Sequence, residues 1–276
     1  MAFTMWKRAR NVEASYKKAL YSLVDIFRQI AVFSNGNQQL YVRKMNEFQN
    51  SDEYEEFITS TVRRMVTPLA IHNERTWREA ARKASKGRLI YGALTSELSE
   101  GLQNIINNQI YENISLIRTL PSDVSEKVVK DIYENALKGK RAKSIEQIII
   151  GQTSKHAKAS ARLIARTEVS KTSTALTRAR SEQLDLHWYV WRTALDGDRV
   201  RKSHRNMEGV LVNWNEPPSP ESLVGEKNVG YYHAGNIWNC RCYPEPLLEV
   251  DDVKWPHKVY HNGSIQTMNK HEFLGL

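Results

Sequence analysis

The chain has 276 residues, 41% hydrophobic and 26% charged, with few prolines and glycines; this exceeds the usual single-domain length and predicts two domains, each able to bury a core. No apolar run approaches bilayer length and Met1 to Arg10 lacks the apolar stretch of a secretory signal, so the protein is expected to be made and folded in a cytoplasm, where the two cysteines stay reduced. The net charge of +9 is uneven: residues 1–44 carry eight Lys/Arg against two Asp/Glu (+6), residues 140–182 carry ten against three (+7), and the remainder sums to −4, which implies either contact with a polyanion such as nucleic acid or two solvated helix faces.

Between Val12 and Phe33 the apolar residues Tyr16, Leu20, Leu23, Phe27 and Ile30 recur at spacings of four, three, four and three. That period predicts an amphipathic helix, with Lys17, Lys18 and Arg28 off its apolar stripe. Asn35-Gly36-Asn37 breaks it, and a second helix is expected over Leu40 to Phe48. Ser51-Asp52-Glu53 starts a third, running through Tyr54, Phe57, Ile58, Val62 and Met65, with Pro68 kinking or restarting it. Helical patterning continues from 69 to 120 through Ile71, Trp77, Leu89, Leu94, Leu98, Leu102, Ile105, Ile110 and Ile117. Pro121-Ser122-Asp123 opens another helix, with an apolar stripe of Val124, Val128, Ile132 and Leu137 that ends near Gly139. Nothing in this half offers a Gly-rich phosphate loop or a metal-binding repeat, so it reads as scaffold and contact surface.

Helical periodicity resumes from Ser154 to about Asp185, where Ala165, Val169, Thr172, Leu176 and Ala179 share one face and Lys158, Arg162 and Arg166 line another. Then the period changes. His187 to Thr193 is aromatic and β-branched, as a strand requires, and Val210-Leu211-Val212 predicts a second strand. The connection 215–236, rich in proline and glycine, is of the long irregular kind that is functional or mobile. Cys240 to Tyr243 is expected to be a third strand ended by Pro244 and Pro246. The segment Asp251 to Leu276 has no clean period and reads equally as an ordered hairpin or an arm.

The chemistry concentrates in Asp196-Gly197-Asp198-Arg199-Val200-Arg201-Lys202-Ser203-His204 and in Asn239-Cys240-Arg241-Cys242. In a strand, Cys240 and Cys242 leave the same face with Cα atoms roughly 6.6 Å apart, near the upper limit for an unstrained disulfide, so shared chelation or shared burial fits better. A structural zinc would draw on Cys240, Cys242, His204 and one of Asp196, Asp198 or His233; the alternative is two thiols that fill the core beside Trp188 or Trp191. Asp196, Ser203 and His204 also invite a hydrolase or nuclease reading, with the thiols holding a metal. Against this, Ser203 and His204 are adjacent and no Gly-x-Ser-x-Gly turn surrounds the serine, which favours a buried Asp-Arg-His network. Arg166 and Glu168 stand two apart on their helix, too poorly aligned to pair, so one of them is expected to reach another element, with Glu168 anchoring the helix to the 196–204 loop.

In order along the chain, Ala165-Arg166-Thr167-Glu168-Val169, Trp191 to Asp196, Arg199 to His204, Gly209 and Asn239-Cys240-Arg241-Cys242 resemble the phage Mu F-like head morphogenesis family, over about residues 120–246. The resemblance implies a minor head protein of a tailed double-stranded DNA phage, carried inside the head, associated with the portal, and aiding procapsid assembly and DNA packaging or ejection. Its implied partners are the portal, the major capsid or scaffolding protein and DNA contacted without sequence preference, with no membrane; Lys7, Arg8, Arg10, Lys17, Lys18, Lys158 and Arg162 are the candidate DNA contacts. It assigns structural rather than catalytic roles to Arg166, Glu168, Asp196, Arg199, Ser203, His204, Gly209, Cys240, Arg241 and Cys242, and it implies no obligatory cofactor. The fold expected is α+β: a helical region over 1–120, a small mixed α/β domain over 121–248 and a tail over 249–276.

Overall fold

In the computed structural model, residues 6, 9–83, 92, 100–137, 145–195 and 200–276 are described. The protein is α+β. Its helices are α1 (Arg10–Phe33), α2 (Gln38–Gln49), α3 (Asp52–Lys83), α4 (Glu100–Arg118), α5 (Leu120–Leu137) and α6 (Ile145–Gln183). There follow β1 (Trp188–Arg192), α7 (Lys202–Asn206), β2 (Leu211–Asn213), β3 (Tyr243–Pro246), β4 (His257–His261), β5 (Ser264–Met268) and α8 (Lys270–Leu274). No described helix is long and apolar enough to cross a membrane.

The chain divides into two compact units: one comprises residues 10–67 and 108–166, the other residues 1–9, 68–107 and 167–276. The described elements of the first are all helices. Tyr16, Leu20, Leu23 and Phe27 of α1 are buried, as the four-three spacing requires, along with Tyr41 and Met45 of α2 and Tyr54, Ile58, Val62 and Met65 of α3. Hydroxyls buried within it are paired across helices: Tyr54 donates to the Ile117 carbonyl (2.7 Å), and Thr153 on α6 donates to the Tyr41 hydroxyl (2.9 Å). Pro68 neither restarts nor ends α3, which continues to Lys83. Leu89, Leu94, Leu98 and Gly139 lie outside the described residues.

The second unit is built on a five-stranded sheet of order β3-β1-β2-β4-β5. β1 runs antiparallel to both β2 and β3, β2 pairs with β4 in parallel, and β4 and β5 form an antiparallel hairpin. Alternation along the strands sends Tyr189, Trp191, Val212 and Tyr260 into one core cluster and Val190, Leu211, Val259 and Met268 into another, the latter covered by Phe273 of α8.

The structure corrects the third strand and decides the segment after 251. The third strand starts at Tyr243, so Cys240 and Cys242 precede it, and Pro244 and Pro246 lie within it. β3 is the sheet edge. Trp191 directs its N–H to the Val210 carbonyl and its own carbonyl to Gly209, both toward β2, so Val190 and Arg192 face β3 and bond Glu245 and Tyr243. The two prolines therefore turn their missing N–H groups to the unpaired edge, where nothing is lost. The segment after 251 is the ordered hairpin of the two alternatives: Asn262 (φ 50°) and Gly263 (φ 77°) make the two-residue turn whose left-handed angles match strand twist.

Candidate functional site

Cys240, Cys242 and His204 meet in the core cluster on the Trp191 face of the sheet, each only 3% exposed. His204 sits on α7, the five-residue helix between β1 and β2, and not on a strand. A helix of one turn separates neighbouring side chains by about 100°, which lets Ser203 and His204 both be buried while meeting different partners. The cysteines arrive from a loop in which Asn239 takes a left-handed φ of 56°, a conformation asparagine tolerates. That turn, and not the strand pleat, points both thiols the same way. His204 Nδ1 lies 3.5 Å from the Cys240 sulfur and 3.3 Å from the Cys242 sulfur, and the three donor atoms fall within 4.8 Å of one another.

The far side of the imidazole fixes its proton. Glu221 is buried, and the Tyr232 hydroxyl lies 2.8 and 2.7 Å from its two carboxylate oxygens, so that hydroxyl's single proton is committed to the carboxylate. His204 Nε2 stands 3.0 Å from the same hydroxyl oxygen, which is left to accept. The Nε2–H form of His204 satisfies this chain, and the Nδ1 lone pair then faces the sulfurs. Ser203 completes the shell by donating to Glu221 at 3.3 Å.

The two thiols differ. The hydrogen bond from Cys242, opposed by burial, holds Cys240 well below the usual thiol range; the Cys242 backbone N–H, 3.3 Å from the Cys240 sulfur, acts in the same direction. The same hydrogen bond between the thiols, with burial, pushes Cys242 well above it. Burial raises Tyr232 far above the ordinary phenol, and Glu221 adds to the effect. The indole N–H of Trp191, whose ring lies 5.7 Å from that of His204, is buried and acts on Cys242 in the direction of the thiolate.

A second polar group closes the adjoining end of β1. Glu208 accepts from the Thr193 backbone N–H and hydroxyl, both at 2.6 Å, and lies 3.6 Å from Arg192, which also pairs with Glu245 of β3. Gly209 (φ 77°) turns the chain from α7 into β2 and gives its carbonyl to His257 at 2.8 Å.

The loop carrying the cysteines is docked on α6 by a face of small hydroxyl residues. Thr174 donates to the Ala234 carbonyl (2.8 Å), and Thr167 accepts the Asn239 N–H (3.0 Å). Between them sits Gly235 (φ 84°), where an added Cβ would stand 2.6 Å from the Thr174 hydroxyl and 2.8 Å from the Cys242 carbonyl. Glu221, Tyr232, Gly235 and Thr174 were not among the residues singled out from the sequence, and Thr167 entered only as part of a motif, with no role given to it. The signal for the two threonines was the recurrence of Thr167, Ser170, Thr174, Thr177 and Ser181 at spacings of three and four.

Of the other residues singled out, Asp196 and Arg199, like Asp198, Lys7 and Arg8, lie outside the described residues, and with them the first four residues of the 196–204 loop that Glu168 was expected to hold. Glu168 is buried and lies 3.4 Å from Lys171. Arg166 reaches Glu13 of α1 at 3.8 Å, and Arg241 is partly exposed. His233 does not join the thiols: its Nδ1 meets the Tyr189 hydroxyl at 3.1 Å. Trp191, not Trp188, shares the cysteines' cluster. Arg10, Lys18, Lys158 and Arg162 are exposed and Lys17 is half-buried, all in the helical unit.

Chemically, the cluster can bind a soft cation or pack as a closed polar core. It has the poorer parts for nucleophilic catalysis, because both ring nitrogens of His204 are engaged away from Ser203.

Comparison with known proteins bears on the same stretch. Residues 126–244 match the family described as Phage Mu protein F like protein. An uncharacterized protein of Haemophilus influenzae is 30% identical over 156 residues, which cover 56% of this chain and 32% of that protein, so the chain spans about a third of the relative's length. No solved structure matches significantly.

Proposed function

We propose, from the match of residues 126–244 to the phage Mu F-like proteins, that this chain is a minor structural protein of the head of a tailed double-stranded DNA phage. It sits in the head interior against the portal, helps assemble the procapsid with the capsid or scaffolding protein, and touches packaged DNA through phosphates without reading bases. The observation that carries the reading is the family match, which runs from within α5 across the whole of α6, β1, α7 and β2 to the start of β3. Two features support it. The His204, Cys240 and Cys242 cluster is closed from solvent, which suits a rigid building block better than a reaction centre. Exposed cations, Lys18 of α1 and Lys158 and Arg162 of α6, stand on helices tied together by the Glu13–Arg166 contact.

The test is co-assembly. The full chain, tagged and expressed with the portal protein encoded beside it and the major capsid protein, is expected to be retained with the portal and to appear in purified procapsids. Absence from both, with the portal itself assembled, would overturn the reading, and so would cleavage of plasmid DNA that depends on His204.

A further inference from the structure

We propose that Cys240, Cys242 and His204 Nδ1 bind one Zn(II) ion, which staples α7 to the loop before β3. The geometry is the ground. A tetrahedral zinc with Zn–S near 2.3 Å and Zn–N near 2.0–2.1 Å separates its sulfur and nitrogen ligands by about 3.6 Å; the two sulfurs here lie 3.5 and 3.3 Å from Nδ1 before any ion is present. The three donors converge with nothing between them and 3% exposure each.

The outer shell is an independent observation. A zinc-bound histidine needs its other nitrogen held by an acceptor that fixes tautomer and ring orientation. Tyr232, locked by its donation to Glu221, provides that acceptor at 3.0 Å, and so leaves Nδ1 free to ligate. Without a cation, one Nδ1 lone pair faces two sulfurs, and only one S–H can point into it.

Charge leads to the same ion. Loss of one proton from each thiol balances the two charges of Zn(II), so the filled site is neutral within a core that already buries the Glu221 carboxylate. Two thiolates and an imidazole are a soft set that selects zinc over magnesium or calcium. Zinc takes four ligands, and the fourth is a water or another small ligand. The gain is mechanical: His204 and Cys240 bracket the connection 215–236, and one ion ties down both of its ends.

The experiment uses the full chain, purified reduced and without chelator. Elemental analysis is expected to give about one zinc per chain, and to fall to background in the Cys240→Ser/Cys242→Ser double variant. Because that variant can misfold, the parent chain is also stripped with dipicolinate and titrated with Co(II). Thiolate-to-cobalt charge-transfer absorption should saturate at one equivalent, and added Zn(II) should displace it and raise Tm by about 5–10 °C. Tyr232→Phe, a change in a positioning residue, should weaken zinc binding by roughly 10–100-fold in competition with a chelator of known affinity. A chain that emerges metal-free, gives no charge-transfer band with Co(II) and melts at the same temperature with and without Zn(II) overturns the proposal, as does undiminished zinc in a folded double variant.

Discussion

His233 is buried beside Tyr189, Trp214 and Ala234, and its environment has one chemical consequence that can be read at the bench. Desolvation, with the Arg178 cation acting in the same direction, lowers its pKa to about 4 against a hydrogen bond to the Trp214 backbone that opposes the shift. The neutral ring accepts the Tyr189 hydroxyl proton at Nδ1. Since the folded value is depressed below the free value of about 6.5, the unfolded chain takes up its proton first as pH falls. The contribution of His233 is therefore complete above about pH 6.5 and is lost progressively toward pH 4. Between pH 7 and pH 5 the loss amounts to about 2 kcal/mol. Urea unfolding followed by tryptophan fluorescence, with Trp214 5.1 Å from the ring, should give a pH-dependence about that much shallower in His233→Gln than in the parent. Equal slopes in the two proteins would show that His233 is not the group that titrates.

At the level of elements, α6 does two jobs with two kinds of side chain. Its apolar residues were legible from their period, and Ala165, Val169 and Leu176 are indeed buried. Its hydroxyl face was not, because threonine and serine carry no burial signal of their own; only the docked loop tells which hydroxyls face it. Gly235 is where that docking is tightest. Alanine there meets the Thr174 hydroxyl at 2.6 Å and the Cys242 carbonyl at 2.8 Å, in a left-handed conformation that a side chain disfavours. Gly235→Ala should cost about 2–4 kcal/mol, a fall in Tm of about 5–15 °C. Gly225 is the control: its φ of 74° is similar but its surroundings are open, so Gly225→Ala should cost only about 1 kcal/mol. Equal losses in the two variants would remove the α6 contact from the account. The helices were readable for a simple reason: spacings of three and four over many residues average out local exceptions. The end of the sheet was harder to read, because a four-residue edge strand with two prolines violates propensity wherever no neighbour needs its N–H groups. The hairpin turn Asn262-Gly263 is a short-range signal that the weak alternation around it concealed. Among the site residues, the sequence could offer Cys240, Cys242 and His204 by chemical type, but Glu221 and Tyr232 fall in an irregular connection whose path no period describes.

For the whole molecule, the question is what the positive charge does. A net charge of +9 on 276 residues is enough to draw the protein to a polyanion, yet many basic side chains are already neutralised locally: Arg118 by Glu55, Arg192 by Glu208 and Glu245, Arg178 by Glu182. The exposed Lys18, Lys158 and Arg162 belong to the same helical unit, and their contribution can be counted through salt. Each phosphate neutralised on duplex DNA adds roughly 0.9 to the slope of log K against log salt. If all three cations meet phosphates, replacing them together with alanine should lower that slope by up to about 3 without creating or removing any base preference. Fluorescence anisotropy with duplexes of two unrelated sequences, over a range of salt concentrations, gives both quantities at once. A slope unchanged by the three substitutions would assign the DNA contact elsewhere. Affinity that differs sharply between the two sequences would mean that the protein reads bases, against the proposed contact through phosphates alone.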